Sequence, residues 1–412
     1  MNKPTVVILA AGKNSRFFPF NNGPHKSTLS LFGEPIILRT LKNLEQHGYK
    51  DIVIVISERD HDGKGLSKLL EDFESDLAIN LVLQKEAIGM GDAVLAAKEF
   101  LKDQFLVIRP TLINAGEISN KFLEKKEDMV LCGLPVEQPW LYGIFEMKDG
   151  KAVGLVEKPA KGTEPSDVKI EAVYLLDQNY LQTLKETPSE EYSFELAIDK
   201  ILKKKAISLV TFEEEFPSLK LPWQLFDFQK ALFAQLKSFK HPTADISSTA
   251  IIDEEAGAVH IAEGARVGHS ARVVGPCYLG PHSLVGDFSF VRQSSLEKKA
   301  VVGANSELVR SIMMENSSFH FGYIADSIIG KNVRIGAGII TANKRLDRKI
   351  IQTKVKNKML STHRRTLGAI VGNGAKLGIS SNTMPGVLIG SEAIVLPNQV
   401  VSKNLDHKET LG

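Results

Sequence analysis

Near the start of the chain two lone cations, Arg16 and Lys26, follow a small-residue turn, Ala10-Ala11-Gly12. The turn ends an apolar run, Val6-Val7-Ile8-Leu9, that is too short to cross a membrane and reads as a buried parallel strand. A strand that empties into a glycine-bearing loop lets backbone N–H groups approach phosphate oxygens. Positioned cations then neutralise charge on a transferring phosphoryl group. The chemistry this pattern suits is the binding and transfer of phosphate esters.

The spacing narrows that reading. The stretch from Val6 to Pro35 resembles the signature of sugar-1-phosphate nucleotidylyltransferases, LAAGxGTRxxP…PKxLxxxxGxP. Gly12, Arg16, Pro19, Lys26, Gly33 and Pro35 fall at the family's intervals, while Asn14, Ser15 and His25 replace a glycine, a threonine and a proline. The resemblance implies a nucleoside triphosphate wrapped by Leu9, Ala10, Ala11 and Gly12, with Arg16 and Lys26 holding phosphates during attack by a sugar 1-phosphate. It continues at Gln84–Ala93, QKEAIGMGDA, where Gln84 and Gly89 would read the base and Met90 stands for a threonine. It continues again at PWLYG and VEKP, which put Gly143, Glu157 and Lys158 on the sugar. Without that context, Glu157-Lys158 would be a surface ion pair of negligible energy.

In-line nucleotidyl transfer uses a divalent cation, here expected to be Mg²⁺, held by carboxylates. The resemblance implies an aspartate in a G-D pair after a strand. This chain reads FLVIRPTLI from Phe105 to Ile113, with Pro110 and Thr111 at those places. A second aspartate, found before a P-W-D motif in archaeal-type members, is Ser218 here, and Ile170 replaces an asparagine that contacts the sugar. A hydroxyl cannot supply a carboxylate's charge, so no metal ligand is assigned. The expectation is an intact nucleotide cradle with weak or absent nucleotidyl transfer.

Further along, a six-residue period takes over. Ile261, Val267, Val273, Leu279, Val285 and Val291 are evenly spaced, and Ala265, Ala271, Cys277, Ser283 and Ser289 precede the last five by two. The period returns in a shifted phase at Leu296, Val302, Leu308 and Met314, and again at Val371, Leu377, Ile389, Val395 and Val401. A short fixed repeat means a solenoid in which each rung buries its apolar residue against the next. The pairing of an aliphatic with a small residue resembles the hexapeptide repeat of left-handed parallel β-helix acyltransferases.

Within the repeat, Ser317–Asn343 resembles the catalytic rungs of glucosamine-1-phosphate N-acetyltransferases; His320, Tyr323, Asp326, Asn332, Gly336, Gly338 and Asn343 match. Taking a proton from an attacking amine needs a base near neutrality, which suits His320. The resemblance implies acetyl-CoA as co-substrate, Tyr323 and Asn343 positioning sugar and thioester, Lys349 on the coenzyme, and a homotrimer. Two departures accompany it: Gly280 replaces a sugar-phosphate arginine and Arg334 an asparagine. Between Asn343 and Gly368 the repeat breaks for a segment with nine Lys or Arg and one acid, Asp347. It reads equally as a solvated excursion or as a gatherer of coenzyme phosphates.

The elements that must position these residues follow from the pattern. Residues 1–238 alternate strand and helix, which implies a mostly parallel sheet with ligands beyond the strands' carboxyl ends; residues 239–412 form the β-helix. The expected class is thus a Rossmann-like nucleotidyltransferase domain followed by a left-handed parallel β-helix. A length of 412 residues, 43% apolar and 24% charged, suits a soluble multidomain protein, and a net charge of +2 gives no reason to expect nucleic acid. Two distant cysteines and no apolar run of about 18 residues predict a cytoplasmic protein with no membrane partner. Together the matches resemble the archaeal-type bifunctional sugar-1-phosphate nucleotidylyltransferase/acetyltransferases, with a non-catalytic binding paralogue as the alternative.

Overall fold

A computed structural model describes residues 3–213 and 215–412. The chain forms two compact units that part at Phe216/Pro217, and the second unit also takes in Asn14–Pro35. The Leu225–Gln235 helix, which lies within the 1–238 span expected for the first domain, belongs to the second unit, where Gln229 Nε2 donates to Ser295 Oγ and to the Ser311 carbonyl, each at 3.1 Å.

In the first unit, strands Ala78–Leu83, Asp51–Ile56, Thr5–Ala10 and Gln104–Ile108 lie side by side and parallel. Their side chains alternate between two cores: Val6, Ile8, Ile52 and Ile54 face one side, Val7, Val53 and Val55 the other. Burial on both faces explains why these strands read as unbroken apolar runs. Beyond them the sheet is mixed. Val168–Asp177 runs antiparallel between Gln104–Ile108 and Val130–Pro135, and a hairpin of Gly143–Lys148 with Lys151–Glu157 forms the far edge.

The second unit is a left-handed parallel β-helix. One face stacks Val259–Ile261, Cys277–Leu279, Ser295–Leu296, Ile312–Met313, Ile328–Ile329, Ile370–Val371 and Leu388–Ile389. The inward residues form one continuous core. Successive inward positions Ile261 and Leu279 are 18 apart, but Leu279, Leu296, Met313 and Ile329 are separated by 17, 17 and 16. Shortened corners account for the phase shift in the sequence. They also correct one expectation: Met313, not Met314, points into the stack. Corner residues such as His282, Asn305, Arg310, Asp326 and Asn332 take positive φ, and polar side chains tolerate this conformation best. The basic excursion after Asn343 is ordered as an antiparallel hairpin, Gln352–Val355 with Lys358–Ser361, and it closes where Leu367 N donates to the Asn343 carbonyl.

The signature segment Asn14–Pro35 is fastened to this helix. Backbone N–H groups of Phe32 and Gly33 donate to the two carboxylate oxygens of buried Glu297, at 2.7 and 2.8 Å, and Phe32 stacks on Tyr278 with ring centres 4.9 Å apart. Earlier in the segment, Ser391 Oγ donates to the Pro19 carbonyl, and the His407 ring lies 4.9 Å from that of Phe18. Glu297→Ala strands two donors, at a cost on the order of 2–4 kcal/mol. Chemical denaturation should show that loss, and hydrogen exchange should show the Phe32 and Gly33 amides unprotected.

Candidate functional site

The loop expected to cradle nucleotide begins where the Thr5–Ala10 strand ends, flanked by strands Asp51–Ile56 and Gln104–Ile108. Ala10 and Ala11 are buried and Gly12 is exposed, so the loop presents its backbone outward. Gln84 follows a neighbouring strand; its Nε2 donates to the Gly89 carbonyl at 3.1 Å and to Asp92 at 2.8 Å, which leaves Oε1 as an acceptor for the N–H of a base. Gly89 is required by a close approach, because a Cβ there would lie 2.5 Å from the Glu191 carbonyl oxygen.

Arg16 and Lys26 lie in the signature segment, in the second unit. Arg16 is exposed, and the Lys26 ammonium lies 6.0 Å from the Phe17 ring centre. The substituted residues are accommodated locally. Asn14, in the place of a glycine, takes φ +51° and donates to the Pro24 carbonyl at 2.9 Å. His25, in the place of a proline, pairs with Ser27 Oγ at 2.8 Å and receives the Ser27 N–H, which caps the turn that carries Lys26.

On the far hairpin, Gly143 pairs in register with Glu157, and a Cβ at 143 would lie 2.7 Å from Glu157 Oε2. Lys158 takes φ +46°, donates to the Tyr192 hydroxyl at 3.1 Å and lies 3.3 Å from Glu157. The expected sugar residues are therefore together. Glu195 joins them, a residue the motifs did not single out. Burial, with help from Glu157 and Glu191, pushes its pKa up to about 7, against the Lys158 charge, and its buried Oε2 has no hydrogen-bond partner among the described residues.

The carboxyl end of the Gln104–Ile108 strand is the place where the family resemblance implies a metal-binding aspartate. Thr111 is buried there, and Arg109 Nη1 lies 2.7 Å from Glu171 Oε1. Lys169 Nζ lies 3.1 Å from Glu171 Oε2 and 2.7 Å from Glu215 Oε1. Burial pulls the Lys169 pKa down, but Glu171 and Glu215 more than offset this and hold it above the usual lysine value. Both oxygens of the buried carboxylate are committed to cations, and among the described residues no three acidic, histidine or cysteine side chains cluster as metal ligands. The side chains present do not fit a Mg²⁺ ion.

On the β-helix, His320 is exposed at a corner, and Tyr323 begins the next face, three positions on. A cavity of about 530 Å³ opens beside Tyr323, walled by Phe288, Phe290, Phe321, Ile339 and Ile340, with Glu307 its one charged group. Burial and the Glu307 charge raise the Tyr323 pKa. Asn343 lies at another corner. Its Nδ2 donates to Asp326 Oδ2 at 2.6 Å, and the same carboxylate takes Arg310 Nε and Nη2 at 2.7 Å each and Thr366 Oγ1 at 3.2 Å. Asp326 is thus a hub that fixes the amide of Asn343. Lys349 is exposed on the basic excursion, where its N–H donates to Asp347. The two departures have physical grounds. A Cβ at Gly280 would lie 2.8 Å from the Leu296 carbonyl oxygen, so this corner has no room for an arginine, and Arg334 folds back onto the Asn316 carbonyl.

The nucleotidyl transferase family matches residues 5–215. Over 98% of its length the chain is 31% identical to a bifunctional sugar-1-phosphate nucleotidylyltransferase/acetyltransferase of Sulfurisphaera tokodaii, 98% of which is covered. It is 30% identical, also over 98% of its length, to the bifunctional protein GlmU of Methanococcus maripaludis, 96% of which is covered. A nucleotidyltransferase fold joined to a parallel β-helix is the class these features define. The chain belongs to the bifunctional sugar-1-phosphate nucleotidylyltransferase/acetyltransferase family.

Glu195 yields a pH prediction. Its pKa is raised on folding, so the stability it contributes is complete below the ordinary carboxylate pKa and is lost as pH rises through about 7. Unfolding free energies from urea titration should fall between pH 5 and pH 8 by an amount on the order of 2 kcal/mol. Glu195→Gln, which carries no charge at either pH, should lack that part of the fall.

Proposed function

We propose that this chain transfers the acetyl group of acetyl-CoA to the amine of an amino-sugar 1-phosphate on its β-helix, while its N-terminal unit binds nucleotide without efficient nucleotidyl transfer. The observation that carries the first part is the set His320, Tyr323 and Asn343, with Asn343 fixed by the Asp326–Arg310 hub.

In this reading the His320 imidazole takes the amine proton as the nitrogen attacks the thioester carbonyl. The C–S bond then breaks, and coenzyme A leaves as a thiol after taking a proton. Tyr323 and Asn343 position the acceptor and the thioester, and Lys349 with its basic neighbours meets the phosphates of the coenzyme. Exposed apolar side chains on the coil, including Ile251, Phe288, Phe321, Ile340 and Val400, support self-association as a homotrimer. No described helix is long and apolar enough to cross a membrane, which accords with a cytoplasmic enzyme. The binding-paralogue reading is favoured for the N-terminal unit alone, by Thr111 and the ion-paired Glu171.

Two assays test this. Removing a positioned general base costs roughly 10²- to 10⁴-fold in rate. His320→Ala should therefore nearly abolish thiol release from acetyl-CoA with glucosamine 1-phosphate and leave the melting temperature little changed. Full activity in that variant, or none in the wild type, overturns the acetyl-transfer reading. Separately, pyrophosphate release from UTP or dTTP with a sugar 1-phosphate and Mg²⁺ should stay at background. Robust release shows that other residues hold the metal.

A further inference from the structure

Four charged side chains meet at the carboxyl end of the Gln104–Ile108 strand. Ile8 pairs with Ile108 in the neighbouring strand, so this cluster shares the sheet edge with the Leu9–Gly12 loop. Arg109 and Glu171 are joined at 2.7 Å, Glu171 and Lys169 at 3.1 Å, and Lys169 and Glu215 at 2.7 Å. Two carboxylates and two monovalent cations sum to zero. A divalent cation held by two carboxylates reaches the same sum with an ion recruited from solvent. Here the positive charges are built into the chain.

The burial is graded. Glu171 and Lys169 side chains are each 8% exposed, whereas Glu215 is 61% exposed. Arg109 is further pinned, since Nη2 donates to the Phe216 carbonyl at 3.1 Å and the guanidinium lies 5.8 Å from the Phe216 ring centre. A metal ion entering this cluster would have to displace buried cations from Glu171 and leave them uncompensated. The Lys169–Glu215 contact is different. One partner faces water, so the pair is weak and Glu215 can swing away. An anion can then take its place on the Lys169 ammonium.

We propose that the Arg109–Glu171–Lys169–Glu215 cluster replaces the divalent cation of the nucleotide site, so that the N-terminal unit binds a nucleoside triphosphate as the free, metal-less anion, with Glu215 as the exchangeable counter-ion. The inference rests on the nucleotide-binding reading of that unit and is independent of acetyl transfer.

Calorimetric titration of the full chain with UTP tests it. UTP should bind in EDTA at least as tightly as in MgCl₂, because the site needs no ion and Mg²⁺ in solution competes by chelating the triphosphate. Glu215→Gln, a surface change, removes the competing carboxylate and should tighten UTP binding in EDTA by about three- to tenfold. Binding that appears only with Mg²⁺, or an unchanged Kd in Glu215→Gln, overturns the proposal. So does a Mn²⁺ site, seen by paramagnetic titration, that the same substitution removes. Absence of UTP binding in both buffers overturns it as well, while thiol release from acetyl-CoA still reports on the β-helix site by itself.

Discussion

The continuous inward stack of aliphatic side chains, from Val259 to Leu405, is the constraint on which the second unit depends. Each coil must bring its apolar residues over those of the coil below, so every corner residue falls into a column. One such column carries Arg310, Asp326 and Asn343. The bidentate pair between Arg310 and Asp326 and the short bond from Asn343 follow from neighbouring coils placing complementary groups at one corner.

The two candidate sites have diverged by different physical routes. On the β-helix the polar residues match the expected set, but the cavity beside Tyr323 is aromatic and aliphatic, with a single carboxylate. In the first unit the sheet edge keeps the Leu9–Gly12 loop and Gln84, and the buried Glu171 carboxylate is balanced by Arg109 and Lys169. Glu195, on the Ser193–Leu202 helix and under the influence of Glu157 and Lys158, adds a proton-sensitive group to the same unit.

Much of this was legible in the sequence, for identifiable reasons. The parallel strands show as unbroken apolar runs because both of their faces are buried, and the coil shows because its period is short and fixed. Met313 escaped because corners of variable length change the phase without a glycine or proline to mark the place. The Arg109 cluster escaped because its four members are scattered over about a hundred residues and meet only through strand pairing. One sign was present: Lys169 and Glu171 alternate along a strand and so share a face, opposite an arginine that stands beside the missing aspartate. Asp326 matched a motif, but its role as a hub depends on Arg310, one coil below. The substitutions at Asn14 and His25 look like erosion in a linear comparison. In the fold, each supplies the turn or cap that its position demands.

The carboxylate of Glu297, clasped on the backbone of Phe32 and Gly33, bears on how such a protein can be taken apart. The segment that carries Arg16 and Lys26 is covalently an insertion in the first unit, yet its supports lie in coils hundreds of residues downstream. A fragment ending near Phe216 would keep the strands and lose the scaffold under Arg16 and Lys26. Although the chain has the appearance of two modules in series, cutting and splicing at the obvious junction would not give two working parts.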